Sequence, residues 1–263
     1  MKKTNFILLS AFALSVTLTS CKKGDTGPAG ATGSQGSQGP SLTGNVKGYV
    51  THYDYDNAKI LSNLAGDSVF IDGTTKSTVT DASGYYAFSN LTTGTYNFTV
   101  KRLGFGTDKL QAVQFVGGGD AFHDLAIAKT PTTNATMLTA VQTPTTATVT
   151  GIVVSGSVTA MPYAQTVVIY CGNVNASVSA SLPGAFTVLY TVNVVANATS
   201  FSKVIPTIDF YDAGFVSGNT CTFAAYMIGS TTGSASSYVD IPTNKTIYTA
   251  LSNSPAMATA TIQ

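Results

Sequence analysis

Between Thr80 and Val100 the chain reads Thr80-Asp81-Ala82-Ser83-Gly84-Tyr85-Tyr86-Ala87-Phe88-Ser89-Asn90-Leu91-Thr92-Thr93-Gly94-Thr95-Tyr96-Asn97-Phe98-Thr99-Val100. Large apolar residues recur at every second position on both sides of a polar break, the mark of strands with one buried face. Tyr86 and Phe88 point inward on the first arm, and Tyr96, Phe98 and Val100 do so on the second. Leu91 plugs the end. Asp81 can bond the backbone of its own turn, Gly84 can take the positive φ that a tight turn needs, and Gly94 permits the next reversal. The stretch predicts a hairpin whose apolar face is specified on both arms.

Composition extends the all-β reading to the rest of the chain. The 263 residues include no Glu, no Trp and only one Arg, Arg102. All 12 acidic residues are Asp, which favours turns and caps over helix interiors. Thr, Val, Ser, Tyr, Phe and Gly are plentiful, as short strands joined by tight turns require. After Pro131 the only charged side chains are Lys203, Asp209, Asp212, Asp240 and Lys245.

The N-terminus reads as an address. Lys2 and Lys3 precede a mostly apolar, uncharged stretch from Asn5 to Thr17, too short and Ser/Thr-diluted for a membrane span but suited to a signal peptide. Leu18-Thr19-Ser20-Cys21 resembles the bacterial lipobox, which implies cleavage before Cys21 and lipidation of its thiol. Several acyl chains on one residue give stable anchoring. The alternative is ordinary cleavage that leaves Cys21 a free thiol. Loss of residues 1–20 leaves 11 Lys+Arg against 12 Asp, a net charge of −1 with no basic excess for nucleic acid. From Gly24 to Ser41 glycine then occupies every third position. Six triplets with only Pro28 and Pro40 to stiffen them read as an extended spacer, about 55 Å long at ~3.1 Å per residue, with a collagen-like triple helix as the alternative.

The Thr80–Val100 stretch closely resembles the carboxypeptidase regulatory-like domain, a transthyretin-like seven-strand sandwich. Gly44-Asn45-Val46-Lys47-Gly48-Tyr49-Val50 resembles its first strand. Gly66, Val69, Ile71 and Gly73 fit the strand before the hairpin, and Leu103-Gly104-Phe105 the segment after it. Asp67 departs from the pattern, where an apolar residue is usual, as does the polar insertion from Asp54 to Asn63. The resemblance implies a module that accompanies something else, in a fold grouped with carbohydrate-binding-like sandwiches. Related adhesin repeats form Lys–Asn isopeptide bonds with the help of an acid, often Glu. With no Glu present, Lys47 is not assigned that role.

Beyond Pro131, apolar alternation recurs over Thr146–Val154, Thr166–Tyr170, Ala185–Val192, Phe201–Ile208, Thr222–Ile228 and Tyr238–Ile241, separated by turn signals such as Pro183-Gly184 and Gly218-Asn219. About seven strands at this spacing suggest a second sandwich. Phe201–Ile205 and Ser217–Tyr226 faintly resemble the E–F region of fibronectin type III domains, although Cys221 stands where tyrosine is common. That resemblance implies that Cys171 ends one strand and Cys221 begins its antiparallel neighbour. A disulfide in an oxidising compartment, or two buried thiols, would follow.

Reaction chemistry is hard to find. His52 and His123 are the only histidines and read as surface residues at strand edges, with no hydroxyl or thiol marked as a nucleophile for His123-Asp124. Asp54-Tyr55-Asp56-Asn57 lacks the length and final bidentate acid of a calcium loop. Gly117-Gly118-Gly119-Asp120 has no following Lys to cradle a phosphate and reads as a turn. Asp67-Ser68-Val69 resembles an O-glycosylation acceptor. Tyr53, Tyr55, Phe105 and Tyr211 are demanded by no inward alternation, so they are candidates for stacking on sugar rings, with edge packing as the alternative.

The chain therefore reads as all-β: a signal peptide (1–20), a lipidated Cys21 with a Gly-X-Y spacer (21–42), a carboxypeptidase regulatory-like sandwich (43–130) and an immunoglobulin- or fibronectin-like sandwich (131–263). The expected role is that of a non-enzymatic envelope lipoprotein, in the outer membrane and facing outward or into the periplasm. It would display its sandwiches for adhesion, assembly or ligand binding. Carbohydrate binding is the alternative. No metal, cofactor or nucleic acid is expected; the membrane is the expected partner, with a glycan or protein ligand.

Overall fold

A computed structural model of the protein describes residues 27, 30, 39, 41–143, 150–173, 186–232 and 235–263. The signal segment, Cys21, most of the Gly-X-Y run, the Pro183-Gly184 turn and residues 146–149 and 185 of the expected strand runs lie outside the described residues. The fold is all-β, in two sandwiches.

The first sandwich comprises β1 (Thr43–Tyr53), β2 (Lys59–Ile60), β3 (Ser68–Ile71), β4 (Ser77–Val79), β5 (Tyr85–Thr92), β6 (Gly94–Lys101), β7 (Asp108–Phe115), β8 (Asp120–Phe122) and β9 (Leu125–Ala128). Long β1 organises one sheet, antiparallel to β5 and to short β2, and parallel to β8 and β9. The other sheet runs β4-β3-β6-β7. Val46, Val50, Tyr86, Phe88, Leu91, Leu125 and Ile127 of the first sheet meet Val69, Ile71, Phe98, Val100, Val113 and Phe115 of the second.

The expected hairpin is corrected by this arrangement. Its two arms, β5 and β6, do not pair with each other: β5 joins β1, and β6 lies between β3 and β7. A period of two specifies which face is buried but not which strand lies alongside. Here the inward rings of both arms are buried against one another across the sandwich, with Phe88 and Phe98 centroids 5.7 Å apart. The single linking residue, Thr93, is tied to its surroundings, its N–H and hydroxyl donating to Leu42 O and its hydroxyl also to Val116 O. The Asp81 turn is as expected: Asp81 Oδ1 accepts from Ser83 N (2.8 Å), Ser83 Oγ (2.6 Å) and Tyr85 N (3.0 Å). Those hydrogen bonds hold its carboxyl below its ordinary value. Gly84 has φ +82°, and a Cβ there would stand 2.9 Å from Val50 O.

The second sandwich comprises β10 (Thr136–Gln142), β11 (Gly151–Ser157), β12 (Gln165–Asn173), β13 (Val188–Val194), β14 (Ser200–Pro206), α1 (Thr207–Asp212), β15 (Thr220–Ile228), β16 (Ser237–Asp240), β17 (Lys245–Tyr248) and β18 (Ala256–Thr261). Sheet β10-β11-β14 faces sheet β13-β12-β15-β18, and Ile152, Val154, Ile205, Val167, Ile169 and Phe223 fill the space between. The expected run Phe201–Ile208 breaks at Pro206, which has no N–H for the ladder. The chain turns there into α1, which buries Phe210. Strands β10 and β18 were not signalled because Thr, Ala and Met dominate their alternation, and β17 because its four residues hold a single buried position, Ile247.

A third layer distinguishes this sandwich. The hairpin β16–β17 covers the outer face of the central sheet, where Val168, Tyr170, Ala224 and Ile228 pack against Ile247, Tyr238 and Tyr248. Buried on both faces, β12 and β15 carry near-continuous apolar runs, Val167–Tyr170 and Phe223–Met227. Cys171 near the end of β12 and Cys221 near the start of antiparallel β15 are disulfide-bonded, with Cα atoms 6.4 Å apart.

The sandwiches dock through small residues and form a single compact unit over Pro40–Gln263. Ala128, Ala235 and Ala250 cluster at the contact, and Ala128 N donates to Ala235 O. A Cβ on Gly106 would meet Ala250 N at 2.7 Å, so glycine is what lets the two chains approach. Asn57 Oδ1 accepts from Ser230 Oγ (2.7 Å) and Thr231 N (2.8 Å), and Gln111 Nε2 donates to Val239 O (3.0 Å).

Candidate functional site

Docking leaves a groove of about 470 Å³ at the junction, within the range of small-molecule sites of roughly 300–1,000 Å³. The first sandwich contributes Lys101 from the end of β6, Lys109 from β7 and Thr107 between them. Lys101 and Lys109 are on the outward face of their sheet, on the same parity as Thr99, which pairs with Lys109. The second sandwich contributes Tyr226 from β15, Tyr238 from β16, and Tyr248, Thr249, Leu251 and Ser252 from β17 and the chain after it. All three tyrosines are half-buried.

Burial pushes the Tyr226, Tyr238 and Tyr248 phenols up from their ordinary value, helped at Tyr238 by the charges of Asp240 and Asp72. They stay neutral near pH 7 and can donate hydrogen bonds. Thr249 Oγ1 is buried without a partner among the described residues, leaving a hydrogen-bonding capacity unused beside the groove. Lys109 Nζ is 5.5 Å from the Tyr238 ring centroid and 4.0 Å from an Asp72 carboxylate oxygen. A smaller recess of about 220 Å³, lined by Phe70, Asp72, Gly73 and Thr99, shares Lys101 and Lys109 with the groove.

The residues singled out in the sequence lie elsewhere. Tyr53 packs on the alanine cluster of the junction. Tyr55 lines a small cavity of about 90 Å³ with Met161 and Tyr163, with Lys129 Nζ 5.6 Å from its ring. Phe105 lies against His52, centroids 4.9 Å apart. Tyr211 is on α1 and donates to Gln263 O at 2.9 Å. None of the four lines the groove. Asp54 accepts from Lys129 Nζ (2.7 Å), which ties its loop to the chain after β9, and Asp56 accepts from Ala58 N (2.9 Å) within the loop. Among the described residues no cluster of His, Cys, Asp and Glu could hold a metal ion. Ser68 is held between Val79 and Lys101 in the β-ladder. Gly117 and Gly118, with φ +73° and +79°, form the expected turn.

His52 corrects the surface reading. It falls on the inward parity of β1 with Val46 and Val50, is 1% exposed, and its Nε2 is 2.8 Å from Asp67 Oδ2. Asp67, fully buried, also accepts from Arg102 Nη1 at 2.8 Å, while Arg102 donates to Ala65 O and Asn63 O. Burial pushes the Asp67 carboxyl up, but hydrogen bonds and charge from His52 and Arg102 more than reverse this and hold it below its ordinary 3.8. The cluster closes one end of the core and pins residues 63–67 to Arg102. Its signal was available: an inward-parity histidine, an Asp in an apolar position, and the only arginine. His123 is partly buried, and its carbonyl accepts from Tyr86 Oη at 2.6 Å. Asp124 accepts from Tyr49 N at 2.8 Å.

Among known families, the carboxypeptidase regulatory-like domain matches residues 45–128, nearly the whole first sandwich. No curated protein matches the chain. Among solved structures it is similar to a type II cohesin–X-dockerin complex of Acetivibrio cellulolyticus, at 25% identity and a TM-score of 0.28. That match covers 33% of this chain and 58% of the other, little more than half its length. It is also similar to a Bacteroides uniformis protein conjectured to bind carbohydrate, with 12% identity, TM-score 0.30, and coverage of 84% of this chain and 99% of that one. The major pilin subunit of Bacillus cereus is similar at 14% identity and TM-score 0.27, over 71% of this chain and 64% of the pilin. Likenesses at these TM-scores say nothing about the groove. The family match reaches it only through Lys101, Thr107 and Lys109.

Proposed function

We propose that the protein is a non-enzymatic lipoprotein of the cell envelope, anchored through Cys21 and held off the membrane by its Gly-X-Y spacer, which binds a saccharide in the junction groove. The groove itself carries this reading. Half-buried tyrosines beside Thr107, Thr249 and Ser252 combine apolar surface with hydroxyls, the mixture that a sugar presents in return. The buried imidazole and carboxylate at the end of the first core are occupied with each other and with Arg102. Binding, rather than turnover, is what the arrangement supports. Adhesion or assembly would then follow from what the groove holds.

The test is retention of neutral and acidic oligosaccharides on an array by the full chain and by a Tyr238→Ala/Tyr248→Ala variant. Retention of any saccharide by the wild type, lost in the variant, is the expected result. No retention, or retention untouched by the substitutions, would overturn the reading. Separately, Cys21→Ala is expected to abolish membrane retention; a variant that stays with membranes through a high-salt wash would remove the anchor from the account.

A further inference from the structure

Charge is unevenly distributed in and beside the groove. Among the described residues no acidic side chain lines it, whereas Lys101 and Lys109 both do. The recess beyond them holds one carboxylate, Asp72, which accepts from Thr99 Oγ1 at 2.9 Å and stands 4.0 Å from Lys109 Nζ, partly offsetting that lysine. Lys101 lies over the Phe70 ring at 5.8 Å and makes no ion pair among the described residues. Its ammonium is therefore an uncompensated cation at the join between groove and recess. A neutral sugar would use the tyrosines and hydroxyls and leave that charge unmatched. A purely apolar ligand would have to strip water from both lysines without return.

An anion between the lysines gains two charge-assisted contacts, worth more than neutral hydrogen bonds. The tyrosines and Thr249 on one side, and Phe70 on the other, leave room for sugar units flanking it. Groove and recess, about 470 and 220 Å³, share the two lysines as lining and together suit a ligand longer than one ring.

Resting on the saccharide reading above, we propose that the site takes a negatively charged oligosaccharide, its carboxylate or sulfate between Lys101 and Lys109 and its rings against Tyr238 and Phe70. Uronates and sulfated sugars share this chemistry, and the experiment separates them.

The test is calorimetric titration of the full chain with a trigalacturonate, a carrageenan tetrasaccharide that bears sulfates but no carboxylate, neutral cellotriose and hexaglutamate, at low and at physiological salt. Binding of the uronate or the sulfated sugar, weakened by salt, is expected, with cellotriose and hexaglutamate failing to bind. Lys101→Gln and Lys109→Gln are each expected to weaken binding about tenfold or more, and Arg at either position to restore much of it. Cellotriose binding as well as trigalacturonate would overturn the charge assignment while leaving the saccharide reading intact. Hexaglutamate binding equally well would show that the site reads charge and not sugar. If none of the four binds, this inference falls; the saccharide reading falls with it only if the array is also blank.

Discussion

The first sandwich closes one end of its core with a buried His52–Asp67–Arg102 cluster, whereas the second ties its central sheet together with the Cys171–Cys221 bond and covers that sheet with an extra hairpin. One device depends on protonation and the other on redox state. The two halves of one compact unit should therefore respond to different solution conditions. The contrast extends to the groove, which takes its charge from the outward face of the first sandwich and its tyrosines from the third layer of the second.

The largest effect expected is on the second sandwich. Replacing both Cys171 and Cys221 by Ala removes a link across a sequence separation of 50 residues. It should cost about 4 kcal/mol by restriction of the unfolded chain. Hydrogen exchange resolved by peptide should show faster opening of β12 and β15 and unchanged protection of β5 and β6. Equal loss in both halves would mean that the sandwiches do not differ in this way.

Next in size, Asp67→Ala leaves His52 buried and Arg102 without its carboxylate, and should cost the first sandwich about 3 kcal/mol. Denaturant midpoints with protection of β1 as the readout check this. A loss below about 0.5 kcal/mol would deny the cluster a structural role.

Gly84→Val forces a β-branched residue to φ +82° and a Cβ towards Val50 O. It should cost about 2 kcal/mol, confined to the first sandwich in thermal melts followed by exchange. An unchanged midpoint would mean the turn tolerates a side chain.

The smallest effect is the pH slope. Because the folded Asp67 carboxyl titrates below its ordinary 3.8, its contribution is fully present above that value. It is lost as pH falls through the lower, folded value. The stability gap between wild type and Asp67→Asn should thus be constant above pH 4 and narrow below it. A gap that widens on acidification would reverse the assigned sign.

Faces were legible in this chain, and partners were not. Tyr86, Phe88, Phe98 and Val100 are buried as their alternation requires, yet β5 and β6 belong to opposite sheets, since pairing is decided by distant β1 and β3. Cys171 and Cys221 were legible as neighbours only through the faint fibronectin type III resemblance, which set one at the end of a strand and the other at the start of its antiparallel neighbour. The groove was not, because Lys101 and Lys109 are ordinary outward residues until the β16–β17 hairpin, itself marked by little more than Tyr238 and Ile247, is docked beside them. The aromatic candidates lie away from the groove for a related reason. Tyr53 and Phe105 look free in a local pattern but are used at the junction and over the His52 cluster.

The central claim is that the binding site exists only where the sandwiches meet, and Gly106→Val tests it most directly. The added Cβ would strike Ala250, and neither Gly106 nor Ala250 is itself a lining residue of the groove. Titration of this variant with trigalacturonate, with exchange confirming that both sandwiches stay folded, should show affinity at least about tenfold below wild type. Unchanged affinity in a folded variant would contradict the claim and place the ligand on one sandwich alone.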